Sequence, residues 1–354
     1  MSKNTLTRRT VLRALGILGL GAALPLPALA AAPAPAIRMA DVARTADKRY
    51  KMSETRLLMG TFVAVTLLHE SKDGAAQAMD RAFGEIERLS AVFDRHRPDT
   101  PVAELNRGGR LTDVAPELRA VMNKAVDFGR LSSGAFNVTV LPVVELFRSH
   151  ANPGGRMELS ERELSEALEL VHLPSVRMTK REIRFDRPGM GVTLDGIGKG
   201  FIVDAASDVL ARHGAADHLI NAGGDMRARG ERAPGQPWKV AVEDPHQRGD
   251  YPAVLHLRDA AVATSGGYEV FFDADHRHHH IIDPRTAHSP NQSVSVTVTA
   301  PTVMEADALA TSVFVMAPKK GVRFVDQLPG KECLLLGKSG AKVTSTHWNA
   351  MVSA

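Results

Sequence analysis

Three short stretches carry residue types that packing alone does not ask for. Residues 262–286 (VATSGGYEVFFDADHRHHHIIDPRT) join a Ser/Gly-rich turn, an apolar run, three consecutive histidines and an Asp-Pro-Arg-Thr turn. Residues 193–200 (TLDGIGKG) set glycines at 196, 198 and 200 at the opening of a helix, with Lys199 among them. Glycines let a phosphate approach the backbone, and the free N–H groups of a helix start favour an anion. Two familiar phosphate loops are excluded: position 193 is Thr and position 200 is Gly, so this is no Walker A loop, and G-x-G-x-G is not the dinucleotide spacing. Residues 305–311 (EADALAT) put Asp307 and Thr311 four apart, on one face of a helix. A carboxylate and a hydroxyl are hard oxygen ligands, suited to an octahedral metal that keeps waters and phosphate oxygens. Together the stretches point to one anionic, magnesium-bound ligand.

The histidines leave two readings open. In strand geometry His278 and His280 share a face and His279 takes the other. A zinc site needs further ligands, and no other Cys or spaced His completes a set. The second reading is a general base beside the Arg-bearing turn, with His278 and His279 as strand surface residues. Each stretch alone also has a bland explanation, a tight turn or a chance Asp/Thr spacing. The neighbours of Asp307 weigh against chance. Ala306, Ala308, Leu309, Ala310, Val313 and Phe314 are small or apolar, and an Asp on a largely buried helix needs a partner.

The elements that must position these residues are legible from periodicity and punctuation. Residues 57–68 read as a β-branched apolar strand with a bulge at Gly60. Apolar residues at three-to-four spacing predict helices over 74–93 and 116–131. Between them, 95–109 reads as a loop with a short helical turn. Residues 134–148 begin as a strand that cannot continue centrally past Pro142. Ser160 and Glu163 form a capping box opening a third helix to about 171. Residues 178–186 resemble hairpin strands, and a helix over 200–212 ends at Gly214. From 217 onward the chain reads mostly as strand, including YEVFF and HHHIIDP. A helix follows Pro301, with Thr302 and Glu305 as a second capping box, and stops at Pro318. A hairpin closes the chain. The fold class is α+β, mixed sheets with packed helices, in a single catalytic domain over 51–346.

Composition narrows the function. Apolar and charged contents of 44 % and 24 % over 354 residues are those of an ordinary globular protein. An aromatic content of 5 % supplies no stacking platform, and a net charge of +4 shows no basic stripe, so nucleic acid is not an expected partner. Arg8 and Arg9 precede an apolar run over 11–29 and a small-x-small pattern, Ala28-Leu29-Ala30. Gly16, Gly19, Gly21, Pro25 and Pro27 make that run a poor membrane span. Residues 1–30 thus read as a twin-arginine-type signal peptide. The Ala- and Pro-rich stretch 31–50 reads as a disordered linker. The expected location is periplasmic and soluble. No cysteine sits near the cleavage region to take a lipid, and the single Cys333 cannot form an internal disulfide.

Eight motifs in order resemble the ApbE family, the FAD:protein FMN transferases: MGTFVAV (59–65), PDTPVAELN (98–106), GAFNVTVLP (134–142), LDGIGKGFIVD (194–204), INAGGDMRARG (220–230), ATSGGYE (263–269), HIIDPRT (280–286) and ADALATSVFV (306–315). The exported form further resembles the NosX-type branch. The resemblance implies a T-fold-like architecture with FAD, as substrate, held with Mg2+ in a cleft. It implies transfer of FMN to a Ser/Thr hydroxyl of an acceptor flavoprotein, a membrane respiratory subunit, with release of AMP. The Gly196 carbonyl, Asp307 and Thr311 would hold the metal. His280 would accept the hydroxyl proton, and Asp307 counts as catalytic through the metal. Lys199 would face a phosphate. Met59, His96, Ala135, Phe136, Asn137, Asp195, Ser265, Ile281 and Arg285 would complete the FAD site. This chain departs from the family pattern at Asn137 and Thr193, each usually Asp, at His96, usually aromatic, and at Ala287, usually Gly. An FAD pyrophosphatase and a non-catalytic periplasmic FAD-binding protein are the alternatives.

Overall fold

The computed structural model describes residues 39–246, 249 and 251–352. The signal-peptide expectation lies outside them, as does the linker up to 38. From 39 the linker expectation fails: β1 (Met39–Arg44) pairs antiparallel with β2 (Tyr50–Leu58), so the backbone N–H and C=O groups there are satisfied by a neighbouring strand.

The stretch read as one strand over 57–68 is a hairpin. β3 (Thr61–His69) returns on β2 through Met59 and Gly60, whose φ values are 53° and 71°. Positive φ at both central residues is the two-residue turn whose twist matches the strands. Gly60 is therefore a corner and not a bulge. On β3, Val63, Val65 and Leu67 point one way and are fully buried. They meet Met79, Phe83 and Ile86 of α1 (Lys72–Phe93), whose start is capped by the Ser71 hydroxyl, accepting from Gly74 N at 2.9 Å.

After α1 come α2 (Pro101–Gly108), β4 (Arg110–Thr112) and α3 (Pro116–Leu131). Residues 134–148 do not form the expected strand. Asn137 caps a 3-10 turn at Val138–Val140, and α4 (Leu141–Ser149) follows with Pro142 in its first turn, where a missing N–H costs nothing. The capping box at Ser160 and Glu163 opens α5 (Glu161–Glu169) as read from sequence. The hairpin β5 (Val176–Met178) and β6 (Glu182–Phe185) joins β4 in a small sheet.

The large sheet is antiparallel throughout, in the order β1-β2-β3-β7-β8-β11-β12-β13-β14. Its later strands are β7 (His218–Ala222), β8 (Asp225–Arg229), β11 (Ala260–Gly266), β12 (Ser293–Ala300), β13 (Glu332–Gly337) and β14 (Lys342–Thr344). One face carries α1, α6 (Gly198–Arg212) and α7 (Val303–Val315). On the other face a separate hairpin, β9 (Trp238–Ala241) and β10 (Val254–Leu257), packs Trp238, Leu255 and Leu257 over Val262, Leu334 and Leu336. Trp348 joins this second core, so the fold runs past the expected boundary at 346. The helix after Pro301 ends at Val315, before Pro318 as expected, and Pro318 opens a further helix, α8 (Pro318–Asp326).

YEVFF and HHHIIDP are not strands. Side chains take the hydrogen bonds a ladder would use: Asp273 Oδ1 accepts from the N–H groups of Arg277 and His278, and Ser289 Oγ accepts from His279 N. Isolated bridges alone remain among the described residues of these stretches, Phe271 to His279 and Asp283 to His288.

The contact between α6 and α7 decides where the site forms. A Cβ on Gly200 would lie 2.7 Å from the Met304 and Val303 backbone, so only glycine allows this approach. Each helix bonds the other's start. Asp204 of α6 accepts from Val303 N and Met304 N at 3.0 and 2.9 Å, and Asp307 of α7 accepts from Gly200 N at 3.2 Å. Thr302 accepts from Glu305 N at 3.3 Å.

Candidate active site

A cleft of about 690 Å³ opens where α6 and α7 meet the ends of β8 and β11, the Met59-Gly60 corner, the 3-10 turn and the loop after β11. It gathers residues far apart in sequence. Met59, His96, Ala135, Phe136 and Asn137 line it, as do Asp195, Gly196 and Lys199. Ser265, His280, Ile281, Asp307 and Thr311 complete the set expected from sequence, with one exception. Arg285 is not in the lining. Its Nε and Nη2 pair with Asp283 at 2.8 and 2.7 Å, and Pro284 lines the cleft instead. A carboxylate two residues away holds the guanidinium on the outer side of the turn.

The glycines of the loop have packing roles as well as a place on the cleft wall. Gly200 serves the helix contact, and Gly196 serves an approach to Thr311: a Cβ there would lie 2.8 Å from Thr311 Oγ1. The anion at the start of α6 is the protein's own Asp307. Lys199 lines the cleft, and its Nζ stands 3.2 Å from Asp225 Oδ2, an ion pair out of line for a hydrogen bond.

Asp225 and Glu269 were not singled out from sequence. Both line the cleft around Lys199, and Asp225 is only 2 % exposed. An Asp opening a strand directly after two glycines was the available signal; its partner, 26 residues upstream on α6, was not readable. Burial raises the carboxyls of Asp307, Asp225 and Glu269 above the ordinary range, and Asp225 lifts the other two further. Burial disfavours the Lys199 ammonium, but Asp225, Asp307 and Glu269 more than restore it, so it stays charged. Asp225 and Asp307 are buried and Glu269 stands exposed at the mouth, so two buried carboxyls share one ammonium, and ionising both favours a further cation. Among the described residues no three His, Cys, Asp or Glu side chains converge as a ligand set. A cation here would therefore take mixed oxygens. Asp307, the Thr311 hydroxyl (3.4 Å from Ser265 Oγ) and the Gly196 backbone would be the candidates to supply them.

The three histidines have three environments. His278 Nδ1 meets Asp273 Oδ2 at 2.7 Å. His279 is 5 % exposed, so it is no surface residue; its Nε2 donates to Pro290 O at 2.8 Å while Ile281 N donates to Nδ1 at 3.3 Å. Those two bonds fix the neutral tautomer, and burial pulls its pKa down to about 4. Only His280 faces the cleft. Its backbone N–H donates to Val270 O at 3.2 Å, and its Nδ1 is buried with no partner. Burial lowers its pKa below the ordinary 6.5, with Lys199 adding to that, so the imidazole is neutral at pH 7.

Two departures from the family pattern are structurally mild. Asn137 Oδ1 accepts from Thr139 N and Oγ1 at 2.9 and 2.7 Å, bonds an aspartate could also accept. Thr193 N donates to Val138 O at 2.8 Å, and Thr193 Oγ1 accepts from Asp195 N at 3.3 Å, so it ties the glycine loop to the 3-10 turn. Asp195 itself stands on the open rim, held by Arg95 at 3.1 Å.

The model of the ApbE family matches residues 59–335, from the Met59 corner into β13 of the large sheet. The chain belongs to the ApbE family. A relative from Treponema pallidum (strain Nichols), named FAD:protein FMN transferase, is 32 % identical over 80 % of this chain and 84 % of its own length. The ApbE protein of Thermotoga maritima superposes with a TM-score of 0.76 at 28 % identity, covering 86 % of this chain and all of that one. The flavin transferase ApbE of Vibrio cholerae superposes with a TM-score of 0.72 at 25 % identity, covering 90 % of this chain and all of that one. The mixed α+β architecture expected from sequence is thus the ApbE fold. No helix among the described residues is long and apolar enough to cross a membrane.

Proposed function

We propose that this chain transfers the FMN half of FAD to a Ser/Thr hydroxyl of a target protein and releases AMP. One observation carries the reading. A neutral His280 with an unpartnered buried Nδ1 shares one cleft with Asp307, Asp225 and Glu269, whose carboxyls outnumber the Lys199 ammonium beside them. The names of the relatives agree with it.

The acceptor oxygen forms a bond to the phosphorus on the FMN side, and the bond from that phosphorus to the bridging oxygen breaks. The electron pair leaves with AMP, and the hydroxyl proton passes to His280. Its lowered pKa keeps the imidazole free to take that proton at pH 7. Asp307, Thr311 and the Gly196 carbonyl would hold Mg2+, which when bound neutralises the pyrophosphate oxygens. Lys199 favours the ionised form of Asp225 beside Asp307 and adds positive charge near the phosphates. Apolar walls from Phe136, Ile202 and Ile281 exclude water, which favours transfer over hydrolysis. Export by a twin-arginine leader, a NosX-type assignment and a membrane respiratory subunit as acceptor belong to the same proposal.

The test is incubation with FAD, Mg2+ and a candidate acceptor domain, read by in-gel flavin fluorescence and by free AMP. Covalent fluorescence with AMP supports transfer. AMP and FMN without it would make the chain a pyrophosphatase, and neither would make it an FAD-binding protein.

A further inference from the structure

A second groove, about 530 Å³, lies beside the main cleft, between α2, the start of α4 and residues 189–191. The two share Arg95, His96 and Arg148, so a chain lying in one reaches into the other. The floor is apolar and buried, made by Ala103, Leu141 and Met190. It is also held in place: Asn106 Nδ2 donates to Val192 O at 2.9 Å, and Asn106 Oδ1 accepts from Val192 N at 2.8 Å.

The walls are cationic. Arg95, Arg107 and Arg148 face one carboxylate in this groove, Glu145. Glu145 takes Arg95 at 2.8 Å and Arg148 at 3.6 Å. Asp195, on the rim of the main cleft, also takes Arg95. Arg107 is exposed and donates to Pro98 O at 3.1 Å; among the described residues no carboxylate pairs with it. Positive charge is in excess, while the main cleft next to it is dominated by carboxyls. The groove has no cluster of its own that could hold a metal–pyrophosphate unit, so it differs in kind from the FAD site.

We propose that this groove is the docking track of the acceptor protein. An extended acceptor segment with acidic residues flanking its Ser or Thr lies along it and delivers the hydroxyl past His96 into the main cleft. The inference rests on the transfer reading and deepens it, by giving the acceptor a charge and a path. Complementary charge at such a rim speeds encounter and selects the partner.

The test uses the full chain and short fluorescent peptides carrying one Thr flanked by Asp/Glu, by Asn/Gln or by Lys. Anisotropy is read with and without FAD and Mg2+. The acidic peptide is expected to bind at least about fivefold tighter than the neutral one, with the advantage shrinking as salt is raised. Arg107→Glu should weaken the acidic peptide about tenfold and favour the Lys peptide, with FAD titration and thermal midpoint unchanged. Equal binding of acidic and neutral peptides overturns the proposal. So does an Arg107→Glu variant that binds the acidic peptide normally, or one that loses AMP affinity instead, which would make the groove a nucleotide site. The two readings fail separately. Arg107-dependent peptide binding without FMN transfer sinks transfer and keeps the track; equal transfer to the acidic peptide by wild type and Arg107→Glu sinks the track and keeps transfer.

Discussion

Two aspartates face two helix starts across one contact. Asp204 on α6 accepts two N–H groups at the start of α7, and Asp307 on α7 accepts one at the start of α6. The arrangement is reciprocal, but the surroundings are not. Asp204 has both oxygens bonded and Arg227 nearby; burial raises it only to about 6, with Met304, Val303 and Arg227 pulling it back. Asp307 is buried beside Asp225, which pushes its carboxyl well above the ordinary range despite Lys199 and the Gly200 amide. A carboxylate answered by amides is a cap. A carboxylate answered by another carboxylate is a demand for a cation.

The sharpest way to break this comparison is Asp307→Asn, which keeps an acceptor for Gly200 N and removes the charge. Mg2+-dependent AMP release should fall by more than about a thousandfold; a variant with full activity in Mg2+ would falsify the metal assignment. His280→Ala comes next, with transfer slowed by about 10²–10⁴-fold and FAD affinity near normal. In the wild-type enzyme a base held below 6.5 moves the acid-side fall in rate to lower pH than an ordinary imidazole would give. A midpoint at or above 6.5 would count against His280. Gly200→Ala tests the contact itself: overpacking against backbone should cost about 1–3 kcal/mol, read as a lower urea midpoint. Asp204→Ala is the mildest, losing about 1 kcal/mol for the cap with turnover per folded molecule unchanged. If Asp204→Ala lost activity before stability, the two aspartates would be doing the same job.

Much of the site was legible because its residues sit in motifs with local reasons. Asp307 and Thr311 share a helix face and His280 stands just before the Asp-Pro-Arg turn, while outside the site Ser160 and Glu163 form their capping box. What failed did so for identifiable causes. The β-branched run at 134–148 looked extended, but an Asn cap and a first-turn proline turn it into helix. The histidine stretch looked like strand, but Asp273 and Ser289 capture its amides. Asp225 and Glu269 were missed because their roles depend on Lys199, Asp307 and each other across the fold. Arg285 was misplaced because Asp283 claims it locally.

The cleft draws its walls from Met59 to Thr311, and its carboxyl cluster needs α6, β8 and α7 together. A growing chain therefore has nothing to offer FAD until residue 311 is available for packing. Ligand cannot act as a template for folding here; it can only reward a fold already completed, through the affinity it adds to the native state.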